Sequence, residues 1–416
     1  SFAREQLSGE ESAARLMGRL SQLVRDATQP LTDNGPAAPL LDADACEAHL
    51  SASLRCLSHL LMALGMLLPD AAAKTTYLNR GAMALISTAL GLPLEALPVE
   101  QATAAGAKGA TTKKSGGKGK NPKAAAEATA AVLQIRCEVL AHAAMSFAVG
   151  VQSPNWRAAA DCAATLAALI RVLDACAARA QVDGRPARCV LPVLTNVCLA
   201  LANCARSPKL TKQLAQVVPT LLQFAAFGTR SVHGFFDAAD TDAMVDEALV
   251  VATTLALAHA SEDKGVAELC LEYGGVNTLL PMLLSPTPKL AGAVSAIIRN
   301  GCVIPEWRAA VIGWTVSVGS EGEEQTSGTD LLVERARYTE DGVHFATTAV
   351  HALDSISMCA CSRAGRDALC RSNVLTMLSK LLKQASSSAP VYAASLPVYR
   401  AACVATSSFS RESSVV

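Results

Sequence analysis

The sequence is poor in aromatic residues, poor in charge and without charge imbalance. Aromatics make up 4% of its 416 residues and charged side chains 17%, and 36 basic groups face 36 acidic ones. A dedicated nucleic-acid binder carries a basic excess on a structured face, so no such site is expected. The apolar runs 60–68 and 190–202 are too short or too interrupted to cross roughly 30 Å of hydrocarbon, and no membrane span is expected. Residues 1–26 alternate charge with leucine and lack the apolar centre of a secretory signal. The first residue is Ser1, as in a trimmed chain, a fragment or a processed organellar precursor. Catalytic signatures are missing too. A Gly-x4-Gly-Lys phosphate loop would need glycine where Thr112 and Lys114 stand. There is no Gly-x-Ser-x-Gly elbow and no His-Glu-x-x-His helix. An enzyme is not expected, and no cofactor is called for.

What is present is helix-forming and apolar. Hydrophobic residues reach 51% with a mean hydropathy of +0.30, enough for a large core. Alanine, roughly a fifth of the chain, is the best helix former and a poor strand former. The 14 cysteines are scattered singly, and without a secretory signal they read as reduced, buried, small hydrophobes. Cys46, His49, Cys56 and His59 form two Cys-x2-His pairs. On one continuous helix the pairs would stand about 15 Å apart, too far to share a zinc ion. His344, His351, Cys359, Cys361 and Cys370 lack a fixed ligand spacing, and no metal is proposed.

Two stretches interrupt the helical texture. Residues 98–126 hold Lys108, Lys113, Lys114, Lys118, Lys120 and Lys123, with no acid among those lysines, and read as a basic flexible loop. Residues 319–329, with Glu321, Glu323 and Glu324, read as an acidic loop. Around them the sequence repeats itself. Val218-Pro-Thr-Leu-Leu-Gln-Phe-Ala-Ala, Val276-Asn-Thr-Leu-Leu-Pro-Met-Leu-Leu and Val374-Leu-Thr-Met-Leu-Ser-Lys-Leu-Leu each place apolar residues at offsets 0, 3, 4, 7 and 8. That is one face of an amphipathic helix, and it predicts burial of Leu279, Leu280, Leu283, Leu378 and Leu382. Pro154-Asn-Trp-Arg-Ala-Ala returns as Pro305-Glu-Trp-Arg-Ala-Ala, each opening a helix after a turn. Near absence of alternating β-branched runs predicts no sheet.

Tyr273-Gly274-Gly275-Val276-Asn277-Thr278-Leu279-Leu280 resembles the Gly-Gly turn and following helix of an armadillo repeat, and Asn79-Arg80-Gly81-Ala82-Met83 is a weaker copy. Leu201-Ala202-Asn203-Cys204-Ala205 resembles the family's Leu-x-Asn-Leu-Ala helix ending, and Ile298-Arg299-Asn300-Gly301-Cys302 does so loosely. His259 and Cys359 are placed at the equivalent position. The resemblance implies an all-α, right-handed α-solenoid of armadillo or HEAT-like repeats, with five to seven units over residues 50–385. It divides the chain into N-terminal capping helices (1–50), a first repeat (51–97), the basic loop (98–126), armadillo-like repeats (127–318), the acidic loop (319–329), a further repeat (330–385) and a C-terminal capping helix and tail (386–416). Stacked units of this kind share one core, since a single unit cannot bury its apolar face.

The function expected of such a chain is a non-catalytic protein-interaction scaffold, a structural subunit of a larger assembly. Asn203, His259 and Asn300 are the candidate partner-binding residues, together with the lysine run, which would grip an acidic surface such as tubulin. Nuclear-transport adaptors share the architecture but set tryptophan four residues before the ladder asparagine. Here those places hold Leu199, Leu255, Ala296 and Ser355, so that mechanism is not expected. A cytoplasmic, cytoskeletal or ciliary setting is expected first and an organellar complex second.

Overall fold

The computed structural model describes residues 10–28, 43–92, 122–183, 188–226, 241–318, 324–337, 343–387 and 396–410. They fall into two compact units, Ser1–Ala200 and Leu201–Val416. The first holds α1 (Glu10–Thr28), α2 (Ala43–Leu67), α3 (Ala71–Asn79), α4 (Ala82–Leu90), α5 (Pro122–Gly150), α6 (Pro154–Ala158), α7 (Cys162–Asp183) and most of α8 (Leu191–Ala205). The second holds α9 (Pro208–Leu214), α10 (Val218–Ala225), α11 (Thr241–Ala260), α12 (Lys264–Glu272), α13 (Gly275–Leu279), α14 (Pro288–Gly301) and α15 (Pro305–Gly313). After these come α16 (Gly328–Ala336), α17 (Val343–Cys359), α18 (Arg363–Arg371), α19 (Val374–Ser387) and α20 (Leu396–Ser410).

From α3 onward the helices come in threes: a short helix, a second helix, then a third that is usually the longest. α2 and five of the third helices, α5, α8, α11, α14 and α17, end in the same tight turn. The amide N–H of Asp70, Ser153, Ser207, Asp263, Ile304 and Ser362 donates to the carbonyl three residues back, at 2.8–3.3 Å. Those six residues are the N-caps of the next short helix. Asp70, Asp263 and Ser362 also accept backbone N–H bonds with their side chains. After Ser153, Ser207 and Ile304 a proline occupies the first helical position, where no N–H is needed. Three of the joints between short and second helices use left-handed backbone, at Gly81 and Gly274 (φ 77° each) and Asn373 (φ 59°). The Gly-Gly turns are as expected. The asparagine serves the same purpose because its short polar side chain tolerates that region.

At these six turns the residue three before the N-cap and the residue six further on vary together: Leu67 with Ala73, Gly150 with Trp156, Cys204 with Leu210, Ala260 with Val266, Gly301 with Trp307, and Cys359 with Gly365. A large residue at one place goes with a small one at the other. Trp156 and Trp307 are fully buried, and a Cβ on Gly150 or Gly301 would run into their rings. At the last turn the glycine has changed sides, and a Cβ on Gly365 would strike the carbonyl of Cys359. The indole N–H of Trp156 donates to Lys74 O at 3.0 Å and that of Trp307 to Ala267 O at 2.7 Å, tying each short helix to the one before. Arg157, Arg308 and Arg366 each donate to a carbonyl six residues back, closing the turn.

In the second unit the long helices α11, α14, α17 and α20 pack successively side by side, and in the first α2 packs on α5. Leu279, Leu280, Leu283 and Leu378 are buried as expected. Leu382 is half-buried; Leu381, one residue earlier, is the one that faces inward. In α1 the inward face is Ala13, Met17, Leu20 and Val24.

The structure corrects several expectations. A short antiparallel hairpin, β1 (Thr315–Val318) with β2 (Glu324–Ser327), stands between α15 and α16, where no sheet was expected and an acidic loop was placed over 319–329. The acidic stretch is therefore not one loop through Thr329. Ser327 and Asp330 form a reciprocal capping box that starts α16 at Gly328. Burial alone would raise the Asp330 carboxyl, but hydrogen bonds from Ser327 and Ser372 hold it below the usual carboxylate value. The basic stretch likewise ends early, since α5 begins at Pro122 and takes in Lys123. Segments 50–67 and 130–150 prove long and apolar enough to cross a membrane by length and composition. Here they lie against each other: Ser58 Oγ meets His142 Nδ1 at 2.9 Å and Ser146 Oγ donates to Leu61 O at 2.7 Å. Among the described residues Cys56, Cys361, Cys370 and Cys403 are exposed rather than buried. Cys270 fits the expectation, its thiol pushed up to about 12 by burial.

Candidate protein-binding face

Asn203, His259 and Asn300 occupy one register. Each precedes by four residues the N-cap that closes its turn: Ser207, Asp263 and Ile304. All three are half-buried near the C-terminal ends of α8, α11 and α14. The fourth place belongs to Met358, not Cys359. Arg366 reaches Ala360 O as Arg308 reaches Cys302 O, which matches Cys359 with Gly301. The tryptophan position likewise moves from Ser355 to Asp354. Leu255 and Ala296 hold the same place on α11 and α14, and no aromatic stands there.

Asn300 and several neighbouring polar side chains stitch adjacent long helices together. Asn300 Nδ2 donates to Ala258 O and to Ser261 Oγ, both at 3.1 Å, capping the end of α11. His259 Nδ1 lies 3.6 Å from Glu262. Arg299 donates to Asp354 at 2.8 Å, bridging α14 and α17, and Ser357 meets Ser408 at 2.7 Å, bridging α17 and α20. In the first unit Asn196 Nδ2 donates to Ala141 O at 3.0 Å. Sequence reading missed Asn196, Arg299, Asp354 and Ser357. The usable signal was spacing: Asn196 lies two helical turns before Asn203, on the same face. The expected role of Asn300 is thus modified, because its amide is already engaged within the fold. The lysines expected to bind a partner, Lys108, Lys113, Lys114, Lys118 and Lys120, lie outside the described residues. Lys123 sits in the first turn of α5. No group of three metal-ligating side chains occurs among the described residues.

Three histidines on the long helices are held below the ordinary histidine value. Burial is the first cause at each; Arg206 adds to it at His259, and Arg299 adds to it at His351. Ser58 partly offsets it at His142, Glu262 at His259, and Asp354 with the Gly292 backbone at His351. His351 Nδ1 is buried without a partner. A folded-state pKa below the unfolded one favours the neutral ring. Stability from these sites is therefore complete above about pH 6.5 and is lost as pH falls from there through the lowered folded-state values. The melting temperature should drop between pH 7.5 and pH 5, and His351→Gln should flatten the drop. A melting temperature unchanged over that interval in the parent protein would refute the assignment.

No family model matches the sequence, and no curated protein matches it. Among solved structures, a computationally designed armadillo repeat protein for modular peptide recognition is 16% identical, with a TM-score of 0.46, covering 65% of this chain and 94% of that one. A designed armadillo repeat protein in complex with the peptide (KR)4 is 15% identical, TM-score 0.39, covering 63% and 98%. A third design is 14% identical, TM-score 0.43, covering 84% and 99%. The recurring triplet of short, second and long helix, joined at three places by a left-handed turn and closed by a capped turn, gives this chain an armadillo-like repeat fold.

Proposed function

We propose that the chain is a non-catalytic protein-interaction scaffold, a structural subunit of a larger cytoplasmic assembly, with a cytoskeletal or ciliary complex as its setting. The observation that supports this reading is the row of polar groups that recurs near the ends of the long helices in the second unit. Arg206, Glu262 and Arg299 are exposed, beside the half-buried His259, Asn300 and Asp354. Arg299 is fixed by its bond to Asp354, and Glu262 lies 3.6 Å from His259. Charged groups that recur from one repeat to the next suit an extended protein partner rather than a small substrate. Cargo-signal recognition is not part of the proposal, since the positions that would stack lysine stems hold Leu255, Ala296 and Asp354.

The test is purification from native extract with cross-linking and mass spectrometry. Recurrent partners cross-linked near Arg206, Glu262 or Arg299 support it, and recovery of the chain alone sinks it. The lysine run adds a separate expectation. Changing Lys108, Lys113, Lys114, Lys118, Lys120 and Lys123 to glutamine should weaken co-sedimentation with an acidic lattice such as microtubules. Binding by the parent should also fall as salt shortens the Debye length to about 8 Å at 0.15 M. Equal binding by both proteins at low salt would remove the run from the interface.

A further inference from the structure

We infer that the seam between α2 and α5 binds a soft monovalent metal ion, Cu(I), through the thioethers of Met62 and Met145 and the imidazole of His142. The inference stands apart from the scaffold reading. Imidazoles, thiolates and carboxylates form no trio among the described residues, so a metal site must draw on another donor. Thioether sulfur is such a donor, and it favours Cu(I). Methionine is ordinarily a filler of irregular gaps in a core. Met17, Met83, Met282 and Met377 fit that role, each no more than 5% exposed. Met62 and Met145 do not. Both are half-buried and reach solvent, and Met66, one turn beyond Met62, is 54% exposed.

Register brings the donors to one seam. Met62 and Met145 stand at the same place on their helices, each eight residues before the N-cap that follows, Asp70 and Ser153. The helices touch closely there, since Ser146 Oγ donates to Leu61 O at 2.7 Å. Two side chains of α5 lean across toward α2. Met145 Cε lies 2.7 Å from the position a Cβ on Gly65 would take, so this side chain crosses where α2 has none. His142 Nδ1 lies 2.9 Å from Ser58 Oγ. Met62 falls between these two contacts, four residues after Ser58 and three before Gly65, on the same face of α2. Its flexible side chain lets the sulfur turn toward both neighbours. Ser58, itself 2% exposed, holds Nδ1 and leaves Nε2 as the ligating atom. A hydrogen bond on the far nitrogen is how proteins aim a metal-binding imidazole. Burial first, and then nearby His59, favour the neutral ring against the pull of Ser58 and Glu138. The set of two sulfurs and one nitrogen contains no thiolate or carboxylate. Zinc sites are built from Cys, His, Asp and Glu, so zinc does not suit it.

The test uses the full chain with isotope-labelled methionine methyl groups, whose nuclear magnetic resonance signals report each methionine separately. The exposed thiols Cys56, Cys361, Cys370 and Cys403 are changed to serine so that they do not compete for the ion. Cu(I) is added without oxygen as its acetonitrile complex. The Met62 and Met145 signals should move together and saturate at a single equivalent, while those of Met17, Met83, Met282 and Met377 stay in place. Zn(II) should move none of them. Affinity is then read by competition with bicinchoninate. Ser58→Ala should weaken Cu(I) binding by about tenfold, the low end for loss of a group that orients a ligating imidazole, and Met145→Leu by more. Met145→Leu conserves volume, so the fold is retained and an unchanged melting curve of the metal-free protein checks this. Methyl signals that ignore Cu(I) would overturn the assignment. A shift confined to Met66 would overturn it too, by marking one exposed thioether and no shared site. So would a Met145→Leu protein that binds Cu(I) as tightly as its parent.

Discussion

Gly301→Leu should destabilise the second unit by about 3 kcal/mol, the upper range for forcing extra carbons into a packed interior. The Trp307 ring occupies the space that any side chain at 301 would need, and it cannot swing away. It is fully buried, and its N–H is held by Ala267 O at 2.7 Å. Trp307→Ala removes the obstacle but opens a cavity and orphans that carbonyl, at about 3–5 kcal/mol. The double variant is the informative one. It recreates at this turn the Leu67–Ala73 pair that the first turn already uses. Its cost should fall short of the sum of the two single costs by about 0.5–3 kcal/mol, the range for residues in direct contact. Chemical denaturation followed by far-ultraviolet circular dichroism measures all three. Strict additivity would show that the two positions do not share one space.

The second large effect is expected at Leu280→Ala, about 2–5 kcal/mol from lost transfer energy plus the cavity left behind. Leu280 is fully buried, and a Cβ on Gly328 would come within 3.1 Å of its Cδ1. The start of α16 thus lies directly against it. Collapse into the vacated space is opposed by Arg335, which donates to Leu283 O and, at 2.8 Å, to Ser285 O, fixing α16 to this segment. Leu382→Ala is the contrast. It shares the apolar pattern but lines an open groove, so its truncation should cost less than about 1 kcal/mol. Equal midpoints for the two variants would mean that the burial of Leu280 has been misassigned.

Much of this was legible because local chemistry and packing agreed. The 0, 3, 4, 7, 8 pattern at Val276 marks a buried face, and Gly274, two residues before it, takes a backbone conformation that other residues avoid. The Pro-x-Trp-Arg echo opened a helix in both places because proline belongs at a first helical position. What escaped notice depended on contacts made at a distance. The hairpin has only four residues per strand, too few for alternation to register, and Ser327-x-x-Asp330 reads as loop until its two bonds are seen. Leu382 satisfied the period but fell at the edge of the packed face. Cys359 was set one place late because alanine follows it, as alanine follows His259; only the reach of Arg366 fixes the true register. The candidate site was half legible. Asn203, His259 and Asn300 were found, but that Asn300 bonds the end of α11 follows from tertiary packing alone.

The paired positions at the turns also bear on where this protein can be cut and rejoined. Repeat proteins are commonly treated as modules separable at the turn between one long helix and the next short one. Here such a junction would split every large–small pair, leaving the receiving site on one module and the inserted side chain on the other. Joining the long helix that ends at Cys359 to the short helix that carries Trp307 would drive an indole against a thiol. Joining the one that ends at Gly301 to the short helix with Gly365 would leave an empty hole. The exchangeable segment therefore runs between short and second helices, from one left-handed joint such as Gly274 to the next such as Asn373. Each long helix then travels with the short helix that completes it.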